Sequence, residues 1–106
     1  METEQPKTMM REHRVALLTN HALVLVLIAK NSGSRMRDIA HAIGITERAV
    51  QRIVEDLTVS GYIHVTKDGR RNRYEIEKSK SLQHPMEEHC NIGDLLRMVV
   101  PGLKAS

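Results

Sequence analysis

The chain has 106 residues, enough for one domain with a single modest core, and its 16 Lys and Arg against 13 Asp and Glu leave a formal net charge of +3. That excess eases approach to a polyanion without compelling it, and with no Trp or Phe and only Tyr62 and Tyr74 the stacking platforms that bind single strands or unpaired RNA bases are lacking. The single cysteine, Cys90, excludes an internal disulfide framework, the N-terminus lacks the apolar core of a signal peptide, and the longest apolar run, Ala22 to Ala29, is too short for a bilayer. A soluble cytoplasmic protein is expected, with double-stranded DNA left open as a partner.

In chain order, residues 1–14 show no periodicity and read as a flexible arm, with helical structure beginning somewhere after Met9. Thr19 is a good N-cap, and Leu18 and Leu23 stand at the positions of a hydrophobic staple. The helix this predicts, Asn20 to Lys30, is apolar all the way round from Ala22 to Ala29, so it must be covered on every side. The domain core covers one face; the other calls for the C-terminal segment or a second subunit.

Asn31-Ser32-Gly33 ends that helix, with Gly33 expected in the left-handed conformation, and Ser34 is expected to cap a second helix from Arg35 to Ile43. Met36, Ile39, Ala40 and Ile43 form its inward face. Gly44 breaks this helix, Ile45 packs, and Thr46 caps a third helix over residues 46–60, so the connection is about three residues long. Val50, Ile53, Val54 and Leu57 recur at i, i+3, i+4, i+7 and make a core stripe, while Thr46, Glu47, Arg48, Gln51, Arg52 and Glu55 fall on the polar side. Two helices joined by a tight Gly-containing turn are the pattern of a helix-turn-helix.

Gly61 closes the third helix, Tyr62 to Thr66 is β-branched and aromatic, Asp68-Gly69 is a hairpin turn signal, and Tyr74 to Glu77 alternates as a return strand. Lys67, Arg70, Arg71 and Arg73 stand at the tip of this hairpin. After a polar connection, His84-Pro85 is expected to open a short helical turn, and Asn91 with Asp94 to cap a last helix whose stripe is Ile92, Leu95, Leu96 and Val99, stopped by Pro101-Gly102. The division expected is an arm (1–14), a helix-turn-helix domain with a hairpin (15–78) and a C-terminal helical extension (79–106) as a possible dimerisation segment. The fold class is α+β, mainly α with one small β-hairpin: a three-helix core, a wing and a C-terminal helix.

The stretch RDIAHAIGITERAVQRIVEDLTVSGYI followed by a basic DG hairpin resembles the winged helix-turn-helix regulators of bacteria and archaea, in particular the small DNA-binding domains of MarR-like and ArsR-like proteins. The resemblance covers about residues 18–77. It implies that the N-terminal half of the third helix lies in the major groove, and by position Thr46, Glu47, Arg48, Ala49, Gln51 and Arg52 correspond to the reading surface. The residue types suit that role: Arg bonds guanine bidentately, Gln bonds adenine bidentately, and the Ala49 methyl can meet a thymine methyl. Thr46 and the free amides of the helix N-terminus suit a phosphate. Arg70 and Arg71 are candidates for the minor groove, Lys67 and Arg73 for phosphates, and Arg35 and Arg37 sit where the second helix crosses the backbone. A solvated polar face is the plain alternative for the third helix, and ordinary surface charge for the arginines.

His84, His89 and Cys90 are the only cluster of metal-ligating types, and their spacing matches no recognised ligand set, so no metal and no cofactor is expected. There is no nucleophile elbow, phosphate loop or carboxylate pair, hence no catalytic site, and no small-molecule ligand is evident. The function implied is a sequence-specific transcriptional regulator of double-stranded DNA, expected as a homodimer. A winged helix serving as a protein-interaction module in a larger complex is the alternative, and it would need an exposed apolar patch instead of a basic one.

Overall fold

The computed structural model describes residues 15–102. The expected arm, with its helical start after Met9, lies outside the described residues, as does the end of the C-terminal extension. Four of the other five helix and strand segments pack directly on one central helix, α1 (Asn20–Lys30). Its start is set as the sequence predicts: the Thr19 hydroxyl accepts the Ala22 amide at 3.2 Å.

Its end differs from expectation. Asn31 is extended, its side-chain oxygen accepts the Gly33 amide at 3.0 Å, and the Ser34 hydroxyl donates to the Asn31 carbonyl at 2.8 Å. The chain therefore leaves α1 through an Asx turn, and Gly33 does not take a positive φ. With its hydroxyl turned back to Asn31, Ser34 cannot cap the next helix. α2 (Met36–Ile43) begins after Arg35, which occupies the N-cap position without a side-chain capping bond.

Gly44 follows α2 at φ 89, and its amide and that of Ile45 both donate to the Ala40 carbonyl, at 2.8 and 3.0 Å. This left-handed residue reverses the chain in three residues, a turn that a side chain at position 44 would strain. Thr46 then caps α3 (Glu47–Val59) by accepting the Ala49 amide at 3.0 Å. The predicted stripe Val50, Ile53, Val54 and Leu57 is buried throughout. At the far end the Tyr62 amide reaches the Leu57 carbonyl and the Gly61 amide that of Thr58, the paired bonds of a Schellman stop.

The hairpin is longer than its composition suggests: β1 (Ile63–Asp68) and β2 (Arg71–Ile76) pair antiparallel, with Asp68 opposite Arg71. The two-residue turn is therefore Gly69-Arg70, shifted by one from the Asp68-Gly69 signal. Positive φ falls on Gly69 alone, the pattern of a type II′ turn, so Asp68 stays in the strand and remains able to pair across it. Ile63 and Tyr74 plant the base of the hairpin in the core.

Residues 78–91 loop out and return: Lys80 and Cys90 carbonyls accept the amides of Ile92 and Leu82, and an isolated bridge joins Ser81 to Asn91. The expected helical turn at His84-Pro85 resolves into two successive tight turns, closed by Glu87 to His84 and Cys90 to Glu87 bonds. α4 (Ile92–Val99) follows with a full capping box, in which Asn91 and Asp94 each accept the other's amide. Ile92, Leu96 and Val100 are buried, and α1 packs against α2, α3, α4 and β2. Of the two covers open for α1, the chain itself supplies one: α4 completes the monomer's core, so the apolar circumference of α1 does not require a second subunit.

Candidate nucleic-acid interface

Each element of the surface is positioned by the local chemistry just described. Because α3 commits one stripe to the core, Glu47, Arg48, Gln51 and Arg52 are exposed on its other side, with Ala49 half-buried between them. The Thr46 hydroxyl accepts from Ala49, which leaves its own proton free to donate, and the first amides of α3 have no carbonyl within the helix to bond. Thr46, Arg48, Ala49 and Arg52 line one shallow depression on this face.

A second, larger groove runs between α3, the start of α2 and the hairpin. Arg35, Gln51, Arg70 and Arg71 all line it, so residues separated by up to 36 positions in the chain share one open surface groove. Arg37 is exposed on α2 but does not line this groove. Lys67 and Arg70 are exposed on the wing.

Arg71 and Arg73 are held differently. Arg71 donates to the Gly33 carbonyl. Arg73 donates through Nε to Asp68 Oδ2 at 3.1 Å and through Nη1 to the Ser32 hydroxyl at 2.8 Å. The main chain joins them, for the Tyr74 amide donates to the Ser32 carbonyl at 3.0 Å. The α1–α2 connection thus lies against the outer edge of β2, joined to it by this one main-chain bond. Ser32, Gly33 and Asp68 are the participants that sequence reasoning did not single out. A contact made through one residue has no periodicity to betray it.

Charge is distributed unevenly along the chain. From Arg35 to Arg73 there are eight Lys and Arg against five acids, whereas from Glu75 to Asp94 five acids face two lysines. The positive potential is therefore concentrated in the helix-turn-helix and hairpin, where an approaching polyanion would be drawn. Among the described residues no group of three or more His, Cys, Asp or Glu is placed to hold a metal, and no helix is long and apolar enough to cross a membrane.

Two helices with a three-residue turn, a buried stripe behind a polar face, and a hairpin beside that face define the winged helix-turn-helix class. Residues 19–64 match the family model for winged helix-turn-helix DNA-binding domains, a span that takes in α1, α2, α3 and the start of β1. The chain carries a winged helix-turn-helix DNA-binding domain, with α3 in the place of the recognition helix and β1–β2 as the wing. The match does not divide MarR-like from ArsR-like proteins. Comparison with curated proteins finds no match, and comparison with solved structures finds none either.

Proposed function

We propose that this protein is a non-enzymatic, cytoplasmic transcriptional regulator that binds double-stranded DNA sequence-specifically. The observation that carries this reading is the shared groove: Arg35 at the N-cap of α2, Gln51 from the recognition helix and Arg70 from the wing line one open surface. In this reading α3 enters the major groove, which is about 12 Å wide, and Arg48, Gln51, Arg52 and Ala49 meet base edges while Thr46 meets a phosphate. Glu47, at the same end of the helix, accepts from a cytosine amino group or repels a wrong register. Arg35 and Arg37 follow the backbone, and Lys67 and Arg70 carry the wing's contribution.

Selection of bound duplexes from a random pool tests the reading directly. An enriched motif is expected. On that motif Gln51→Ala or Arg52→Ala relaxes preference at the contacted position by about 1–3 kcal/mol, while Arg70→Ala weakens all sequences alike and lowers the salt slope by about 1. Failure of the pool to enrich, or variants that shift gels like the parent, would rule the surface out.

The regulator is further proposed to act as a homodimer, with two recognition helices about 34 Å apart on successive major grooves. With Leu96 of α4 wholly inside the monomer, support comes from elsewhere: Leu17 is 88 % exposed and Met86 79 % exposed, and both line one apolar groove with Tyr62, Leu82 and Leu95. Sedimentation at micromolar concentration checks it, a monomer mass removing the dimer. The same groove is what a protein-interaction module would offer, and binding of a protein partner with no salt dependence would favour that second reading.

A further inference from the structure

We infer that Arg73 is a positioning residue that locks the wing to the α1–α2 connection, through Asp68 and Ser32, and so sets the angle at which Lys67 and Arg70 reach DNA. The inference rests on the DNA-binding reading for its consequence, though the lock itself belongs to the free protein.

A two-stranded ribbon is marginal by itself and twists easily. Here the ribbon is tied at three points along one edge. The Ser32 carbonyl accepts the Tyr74 amide, the Ser32 hydroxyl accepts from Arg73 and the Gly33 carbonyl accepts from Arg71. The receiving loop is itself shaped by two bonds that Asn31 accepts, from the Gly33 amide at its side-chain oxygen and from the Ser34 hydroxyl at its carbonyl. Asp68 completes the arrangement from within the wing. Because Asp68 faces Arg71 in the register, Arg73 is its diagonal neighbour on the same face of the hairpin, within reach of a long side chain.

Geometry explains why the residue is an arginine. The planar fork of a guanidinium presents donors in fixed directions, and Arg73 uses two of them on acceptors from different elements, one on β1 and one between α1 and α2. A lysine ammonium would keep the charge without that fixed fork. Each bond alone is a partly exposed surface contact and weak. Their joint effect is on orientation: they fix the wing relative to the loop that leads into α2, and α2 carries α3 through a three-residue turn. Of the wing's four cations, two are then spent on holding the wing and two, Lys67 and Arg70, are left to meet phosphate or groove.

The test measures binding of the full chain to its selected duplex across a salt series, together with hydrogen exchange of the Tyr74 amide without DNA. If Arg73 positions the wing, Arg73→Ala and Ser32→Ala each weaken binding about fivefold, leave the salt slope unchanged and fail to add in the double variant. Arg73→Lys fails to rescue, Asp68→Asn weakens binding although it makes the wing more positive, and the Tyr74 amide exchanges faster in each variant. A phosphate ligand would behave oppositely. Arg73→Ala would then lower the slope by about 0.9, Arg73→Lys would restore it, and Asp68→Asn would tighten binding, any of which overturns the inference. Should the unaltered chain bind no duplex, the proposed function fails instead, and the exchange data still decide the lock: unchanged Tyr74 protection in Arg73→Ala and Ser32→Ala overturns it.

Discussion

The hydroxyl of Tyr62 donates to the carbonyl of Ser81 at 3.3 Å, tying the chain just past the end of the recognition helix to the loop that leads towards α4. Burial holds the phenol's pKa above its ordinary value of 10.0; the nearby Gln83 main chain opposes the shift and the Glu87 carboxylate adds to it.

A pH dependence follows from that shift. The folded chain keeps the Tyr62 proton at a pH where the unfolded chain has released it, so the unfolded state binds fewer protons and stability falls as pH rises. The stabilisation is complete below about pH 10 and is lost as pH climbs through the folded value. Urea melts from neutral to strongly alkaline pH are expected to show this decline. Tyr62→Phe, which keeps the ring and removes the titrating group, should flatten it at a cost of about 1 kcal/mol or less. An equally steep decline in that variant would assign the effect to other groups.

Leu96 tests whether α4 is part of the folded unit. Its side chain is 0 % exposed in a helix packed on α1, so Leu96→Ala removes buried methyl groups and leaves a cavity, at about 2–5 kcal/mol. One cooperative melt at lower denaturant is the expected result. A C-terminal helix that only bridged two subunits would instead change the sedimentation mass and leave monomer stability alone.

Gly44 separates backbone strain from steric clash. No atom lies within 4 Å of where a Cβ would stand, yet φ is +89, so Gly44→Ala is expected to destabilise by about 1–2 kcal/mol through conformation alone. Since the turn sets α3 against α2, DNA affinity should fall with stability. Chemical denaturation and a gel shift on the same variant check both, and an unaffected midpoint would show that the turn relaxes without cost.

Much of this molecule could be read from short stretches. Thr19, Thr46 and the Asn91–Asp94 pair act as the caps their spacing predicts, and the four-residue stripe of α3 is wholly buried. Besides the one-residue shift of the hairpin turn and the two tight turns at residues 84–90, the departures fall at residues 31–35, and these share one reason. Asn, Ser and Gly serve Asx turns, caps and left-handed stops alike, and which role each takes depends on what accepts its bonds. Here β2 draws the Ser32 carbonyl into the wing, the Ser34 hydroxyl turns back to Asn31, and Arg35 is left at the start of α2.

The tetrabasic wing shows the same division. Its four cations were plain in the sequence, and so was their likeness to a DNA-facing tip. What each cation does was not, because Arg71 bonds a residue 38 positions away and Arg73 one 41 positions away. The sequence alone determined the helices, the caps of α1, α3 and α4, the presence of the hairpin and the polar side of α3, since hydrogen bonds and side-chain neighbours within one or two turns are written in spacing. Tertiary structure decided that α4 covers α1, that Ser32 bonds the wing, and that two of the wing's arginines bond the α1–α2 connection. Those pairings bring together surfaces far apart in the chain, where geometry, not periodicity, selects the partner.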